Sequence, residues 1–132
     1  MRSLVASLCL VAVSACYQDS PTAPGPVNRE VTLAPGQSAS VAGAGLTIKF
    51  NGVTGDSRCP ADAICITGGS ANVHLELRGS DGARQEVTFE TGNPQPVKFT
   101  TLTLDLTQLA PYPFISRPIQ PGDYRATITV KR

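Results

Sequence analysis

Apolar residues in this chain recur at every second position in short runs, and no stretch holds a helical spacing. Leu46, Ile48 and Phe50 alternate with Thr47 and Lys49. Ala71, Val73, Leu75 and Leu77 alternate with Asn72, His74, Glu76 and Arg78, and Tyr124, Ala126, Ile128 and Val130 alternate with Arg125, Thr127, Thr129 and Lys131. A period of two is what a strand with one buried face requires. Shorter versions occur at Val31 and Leu33, at Val87 and Phe89, and at Val97 and Phe99, and Ser38 to Ala42 reads as a weak strand. After Phe50 the pair Asn51-Gly52 breaks the phase and Val53 restores it, as a β-bulge would. After Phe99 the phase shifts again, so that Leu102, Leu104 and Leu106 share the inner face; this predicts a bulge or a break between two strands.

Turn chemistry separates these runs. Pro35-Gly36 and Asn93-Pro94-Gln95-Pro96 are connections, and Ser80-Asp81-Gly82 is a hairpin turn in which Gly82 accepts a positive φ. Seven or eight short strands between such signals predict an all-β fold, an immunoglobulin-like antiparallel β-sandwich, with a small antiparallel β-barrel as the alternative. The chain has no Trp, so the Cys–Trp–Cys core of antibody domains is excluded. With 132 residues there is room for one domain of ordinary size. A formal charge of +1 provides no field to collect phosphates, which excludes nucleic acid as the main partner.

The first residues follow a different logic. Arg2 gives a positive start, Leu4 to Val13 form an apolar run, and Val13-Ser14-Ala15 place small residues before Cys16. Residues 1–15 read as a secretory signal peptide, too short for a lasting membrane span. Val13 to Cys16 resemble a bacterial lipobox, which implies that Cys16 is lipid-modified and becomes the N-terminus of the mature protein. Acyl chains there anchor a protein to a bilayer without a spanning helix. Tyr17, rather than Asp, follows the cysteine, and by likeness to lipoprotein sorting this points to the outer membrane. Residues 16–28 contain Pro21, Pro24, Pro26 and Gly25 and read as a tether, leaving 29–132 as the sandwich domain.

With Cys9 in the leader and Cys16 lipidated, Cys59 and Cys65 remain as an even pair in an exported domain, and a disulfide is expected. The enclosed loop is short, so the expected stabilisation is about 2 kcal/mol. The spacing is not that of a CxxC redox pair, and two Cys with one His are too few for zinc. Around these cysteines Asp56-Ser57-Arg58-Cys59-Pro60, Ala63-Ile64-Cys65 and Gly68-Gly69-Ser70-Ala71-Asn72-Val73 resemble a motif of uncharacterised bacterial secreted and lipoprotein β-sandwich domains. Leu109-Ala110-Pro111-Tyr112-Pro113 and Pro121-Gly122-Asp123-Tyr124-Arg125-Ala126 look like the later half of the same family. The position after Ile66, often Trp in such domains, is Thr67 here. The resemblance implies export and a sandwich fold and brings no reaction with it.

Candidate chemistry is sparse. There is no G-x-S-x-G elbow, no P-loop and no HExxH. His74, the only His, shares the outward face of its strand with Glu76, where a solvated or edge-packed role is expected. Neither a cofactor nor a metal is expected, nor is enzymatic activity. Asp56 and Arg58, two residues apart beside the disulfide, can act as a ligand clamp, or Asp56 can cap a turn while Arg58 pairs with a carboxylate or bonds to loop carbonyls. Tyr112 and Phe114 lie in the proline-stiffened segment from Pro111 to Pro121, where they can form a contact patch or plug one end of the sandwich. The resulting expectation is a non-catalytic binding or structural module on the cell envelope, held to the membrane through Cys16, with an envelope protein as partner. The alternative is an envelope peptidase inhibitor of immunoglobulin-like fold. If the disulfide loop and the proline-aromatic loop share one end of the fold, they form a combined contact surface.

Overall fold

In the computed structural model, residues 24–132 are described. The expected signal peptide, Cys16 and the first part of the expected tether lie outside them. The alternating runs become eight strands: β1 (Asn28–Leu33), β2 (Ser38–Val41), β3 (Leu46–Thr54), β4 (Asn72–Gly79), β5 (Arg84–Glu90), β6 (Val97–Phe99), β7 (Leu102–Ala110) and β8 (Arg125–Lys131). They pair antiparallel in two four-stranded sheets, ordered β1-β8-β7-β6 and β2-β3-β4-β5. The sheets do not close on each other, so the fold is a β-sandwich, the layer architecture of the immunoglobulin-like class, and the barrel alternative falls away. Each sheet is mainly a meander of consecutive strands. The long-range closure is the ladder in which Asn28 faces Lys131 and Leu33 faces Ala126.

The inward residues are those the period of two selects. Ile48, Phe50, Val73, Leu75 and Leu77 on one sheet meet Leu33, Leu102, Leu104, Ile128 and Val130 on the other, all essentially without exposure. Burying such side chains is the main favourable contribution to folding. The bulge after Phe50 is present as a register shift between Phe50 and Gly52, and a second shift falls between Leu106 and Gln108. The phase change after Phe99 is a break: β6 and β7 form a hairpin in which Phe99 faces Leu102. Thr100 takes φ +53 in that turn, a conformation more often given to Gly or Asn. Packing begins slightly earlier than the sequence boundary at 29, because Val27 is buried and its carbonyl accepts the Arg132 amide at 2.9 Å.

The two ends of the sandwich differ in content. At one end Asn28 faces Lys131, Leu46 faces Gly79 and the β6–β7 turn reverses the chain. Arg132 ties this end together, donating to the carbonyls of Gly25, Gly43 and Ala44 and to the Thr101 hydroxyl. The N-terminal tether enters here. At the opposite end Thr54 faces Asn72, Asn72 faces Glu90 and Ala110 faces Arg125. The disulfide loop between β3 and β4 and the proline-aromatic loop between β7 and β8 both emerge at this second end.

Candidate functional site

The loop end is built around Arg58. Its Nε and Nη2 donate to the two carboxylate oxygens of Asp56 at 2.9 and 2.7 Å, while Nη1 reaches the Leu109 carbonyl at 3.0 Å and Nη2 the Pro111 carbonyl at 3.1 Å. The guanidinium thus fastens the disulfide loop to the end of β7 and the start of the proline-aromatic loop. The Tyr124 hydroxyl donates to Asp56 Oδ2 at 2.8 Å, adding the entry to β8 to the same knot. Only 8% of the Arg58 side chain and 15% of the Asp56 side chain is exposed. Of the two roles the sequence leaves open for Asp56 and Arg58, a ligand clamp or local bonding, the contacts are those of local bonding: the pair lies beneath the loops with its charges directed at each other and at two loop carbonyls that need a donor.

The electrostatics follow from the same contacts. The hydrogen bonds from Arg58 hold the Asp56 carboxyl below its ordinary value against the opposing effect of burial, with the Tyr124 hydroxyl helping. The Arg58 pKa is raised in turn by Asp56. The Tyr124 hydroxyl is pushed up to about 12, first by burial and then by its bond to the ionised Asp56.

Above this knot the two loops are joined directly. The Ala61 amide donates to the Pro113 carbonyl at 2.9 Å, and the Ile115 amide donates to Asp62 Oδ1 at 2.8 Å. The latter bond lowers the Asp62 pKa. Cys59 and Cys65 are linked as a disulfide. The neck of their loop is closed by Cys59 N to Gly68 O at 3.0 Å and Ser57 N to Ser70 O at 2.7 Å. Gly69 takes φ +62 in the neck, and a Cβ there would sit 1.8 Å from the Ser57 carbonyl oxygen, so only glycine fits. The two loops therefore share one end, as a combined surface requires.

What this end shows to solvent is apolar. Ile64 and Ile66, on either side of Cys65, are 104% exposed, and Tyr112, Phe114 and Ile115 are exposed beside them. Arg117 stacks on the Phe114 ring with Cζ 5.7 Å from its centroid, and Arg58 stands 5.9 Å from that of Tyr112. A groove of about 550 Å³ runs along Pro111, Tyr112, Phe114, Arg117, Pro118 and Ile119. Neither Tyr112 nor Phe114 is a buried plug. Ile64 and Ile66 were not singled out from the sequence, where an isoleucine beside a cysteine reads as core; their absence from any alternating run was the available signal.

On the outward face of β4 two polar side chains are paired. His74 sits on the outward face of β4, with Nε2 2.7 Å from the Thr54 hydroxyl and Nδ1 3.0 Å from the Thr88 hydroxyl. Glu76 binds both Arg78 and Arg84, the latter at 2.6 Å; burial of its carboxyl works upward on the pKa, and the two guanidiniums carry the net shift downward. Among the described residues no three His, Cys, Asp or Glu side chains converge as metal ligands. Compared with known protein families, curated proteins and solved structures, the chain matches none.

Proposed function

We propose that this protein is a non-catalytic, lipid-anchored component of the bacterial cell envelope that works by binding through its loop end. The carrying observation is the gathering of Ile64, Ile66, Tyr112, Phe114 and Ile115 in solvent at the end of the sandwich opposite the tether. Exposed apolar clusters of this kind mark interaction sites. Backbone and side-chain bonds between the loops hold the cluster in place, which lowers the ordering cost of association. The lipobox-like Val13 to Cys16 supports anchoring, and Tyr17 supports the outer membrane. The engagement of both His74 ring nitrogens by threonine hydroxyls supports the non-catalytic reading. The likeness to exported β-sandwich domains with a paired-cysteine loop agrees with this placement.

The test uses the mature chain as bait on solubilised envelopes and on envelope lipids. Ile64→Asp together with Tyr112→Ala should abolish retention of the ligand, while Glu86→Ala and Thr129→Ala, on the outer sheet faces, leave it intact. Equal retention by all variants overturns the proposal. Peptidase inhibition is the second reading, favoured by the projection of Ile64 and Ile66 from a disulfide-closed loop. It predicts inhibition in a peptidase panel that Ile64→Asp removes.

A further inference from the structure

We infer that the loop end is a shallow bilayer-insertion tip whose ligand is the phospholipid surface itself. This rests on reading the loop end as the contact surface and names what that surface touches. The tip is convex. Ile64 and Ile66 project fully from the disulfide loop, with Ile115 and the two aromatics beside them. Fully projecting aliphatic side chains enter acyl chains without needing a complementary pocket. A protein partner, by contrast, must supply a matched cleft and about 800 Å² per side for a stable contact.

The charge pattern favours lipid. From Ala63 to His74 and from Thr107 to Ser116 the chain carries no Asp, Glu, Lys or Arg. The nearest acid, Asp62, accepts the Ile115 amide, and Asp56 and Arg58 neutralise each other beneath the surface. The apolar side chains can therefore enter a medium of low dielectric, while the exposed Asp62 and Asp123 carboxylates, which accept backbone amides, must stay on the water side and limit the depth. Arg117 lies on the Phe114 ring, where it can meet phosphate. The side chains also grade suitably. The most exposed are aliphatic, and Tyr112 and Phe114 are less exposed, with the Tyr112 hydroxyl suited to headgroup level.

Depth is limited by the backbone. The amides of Cys59, Ala61, Ala63, Ile115 and Arg117 have internal partners, but those of Ile64, Cys65 and Ile66 have none among the loop's hydrogen bonds. Insertion therefore stops at the side chains, within roughly 5–10 Å of the headgroup boundary. The tip is a second membrane signal beside the acyl anchor, and it orients the domain. With Gly25 and Val27 held to the domain, the segment from Cys16 to Gly25 can extend about 30 Å. The nine residues of β7 span about 30 Å. The domain can therefore turn over and lay its tip on the bilayer that holds the anchor.

The experiment uses the mature chain, residues 16–132, with Cys16→Ser to remove acylation while keeping every strand. It is floated with vesicles of pure phosphatidylcholine and with vesicles containing phosphatidylglycerol. Flotation with both, reduced at least about tenfold by Ile64→Asp with Ile66→Asp at unchanged melting temperature, is the expected result. Because the chain has no Trp, Thr67→Trp adds a single fluorophore beside Ile66. Its emission should shift to the blue and be quenched by brominated lipids. Flotation that needs anionic lipid and vanishes in salt overturns the inference, as does flotation indifferent to the isoleucines. No flotation, with protein retention that still depends on Ile64, overturns the lipid assignment and leaves the contact-end reading standing. If neither lipid nor protein is retained, both fall.

Discussion

The Tyr124 hydroxyl donates to the Asp56 carboxylate at 2.8 Å across 68 positions of sequence, so the residue just before β8 anchors the loop that leaves β3. The tyrosine is protonated in this bond, and its folded pKa of about 12 stands above the ordinary 10.0. Its stabilising contribution is complete below pH 10 and is lost as pH rises toward 12, where the folded-state hydroxyl ionises. Tyrosinate absorbance should show a late phase near pH 12 that Tyr124→Phe removes. That variant should also lose about 2 kcal/mol in denaturant melts at neutral pH, since a hydrogen bond to a charged group is withdrawn.

Arg58→Ala should be more costly. It strands the Asp56 carboxylate and leaves the Leu109 and Pro111 carbonyls without the donor that now serves them. Removal of one partner from a largely buried pair costs about 3 kcal/mol. Arg58→Lys should recover only part of this, because an ammonium cannot make four bonds in one plane. Asp56 sets the acid behaviour. Its folded pKa lies below the ordinary 3.8, so its stabilisation is present above that value and is lost as pH falls further through the lowered one. Urea melts in that acid window should fall for the natural protein and flatten for Arg58→Ala.

Loss of the disulfide should loosen the tip and spare the sandwich. The bond spans a sequence separation of 6, and closing so short a loop contributes about 2 kcal/mol. Cys59→Ala with Cys65→Ala should keep the far-ultraviolet spectrum of the native sheets. Hydrogen exchange should accelerate at Ala61, Ala63 and Ile115, whose bonds depend on the loop's shape. Collapse of the whole fold on reduction would falsify this division of labour.

Anchoring at Cys16 is tested by mass. The N-terminal peptide of the mature protein should begin at Cys16 and carry a lipid increment. Cys16→Ser should block processing or release the protein from membranes. Unchanged processing and attachment in that variant overturns the anchor.

The sandwich layers were legible because strands with one wet face write their orientation into alternate residues. Ile48, Phe50, Leu75 and Ile128 were assigned to the interior from that period alone, and all four are buried. The β6–β7 hairpin was harder to recognise, since Thr100-Thr101 offers neither Gly nor Asn to announce the turn. Strand order was not legible, because the β1–β8 ladder joins the two termini of the domain and leaves no local mark. At the site, Tyr112 and Phe114 were found through their prolines. Arg58 was identified but given two possible roles. Only the carbonyls of Leu109 and Pro111, more than fifty residues away, decide that it faces inward.

The placement of tether and tip at opposite ends also determines how the domain bears load. A pull on the N-terminal segment draws β1 from its Asn28 end. A grip on the loop end draws β8 from its Arg125 end. Because β1 and β8 run antiparallel along six paired residues, these two forces slide the strands past one another lengthwise. In that geometry the rungs share the tension and must yield together, whereas a pull on the same end of both strands would open them one at a time. The architecture resists traction along the axis from its N-terminal end to its loop end, and it would be weaker to the same force applied across that axis.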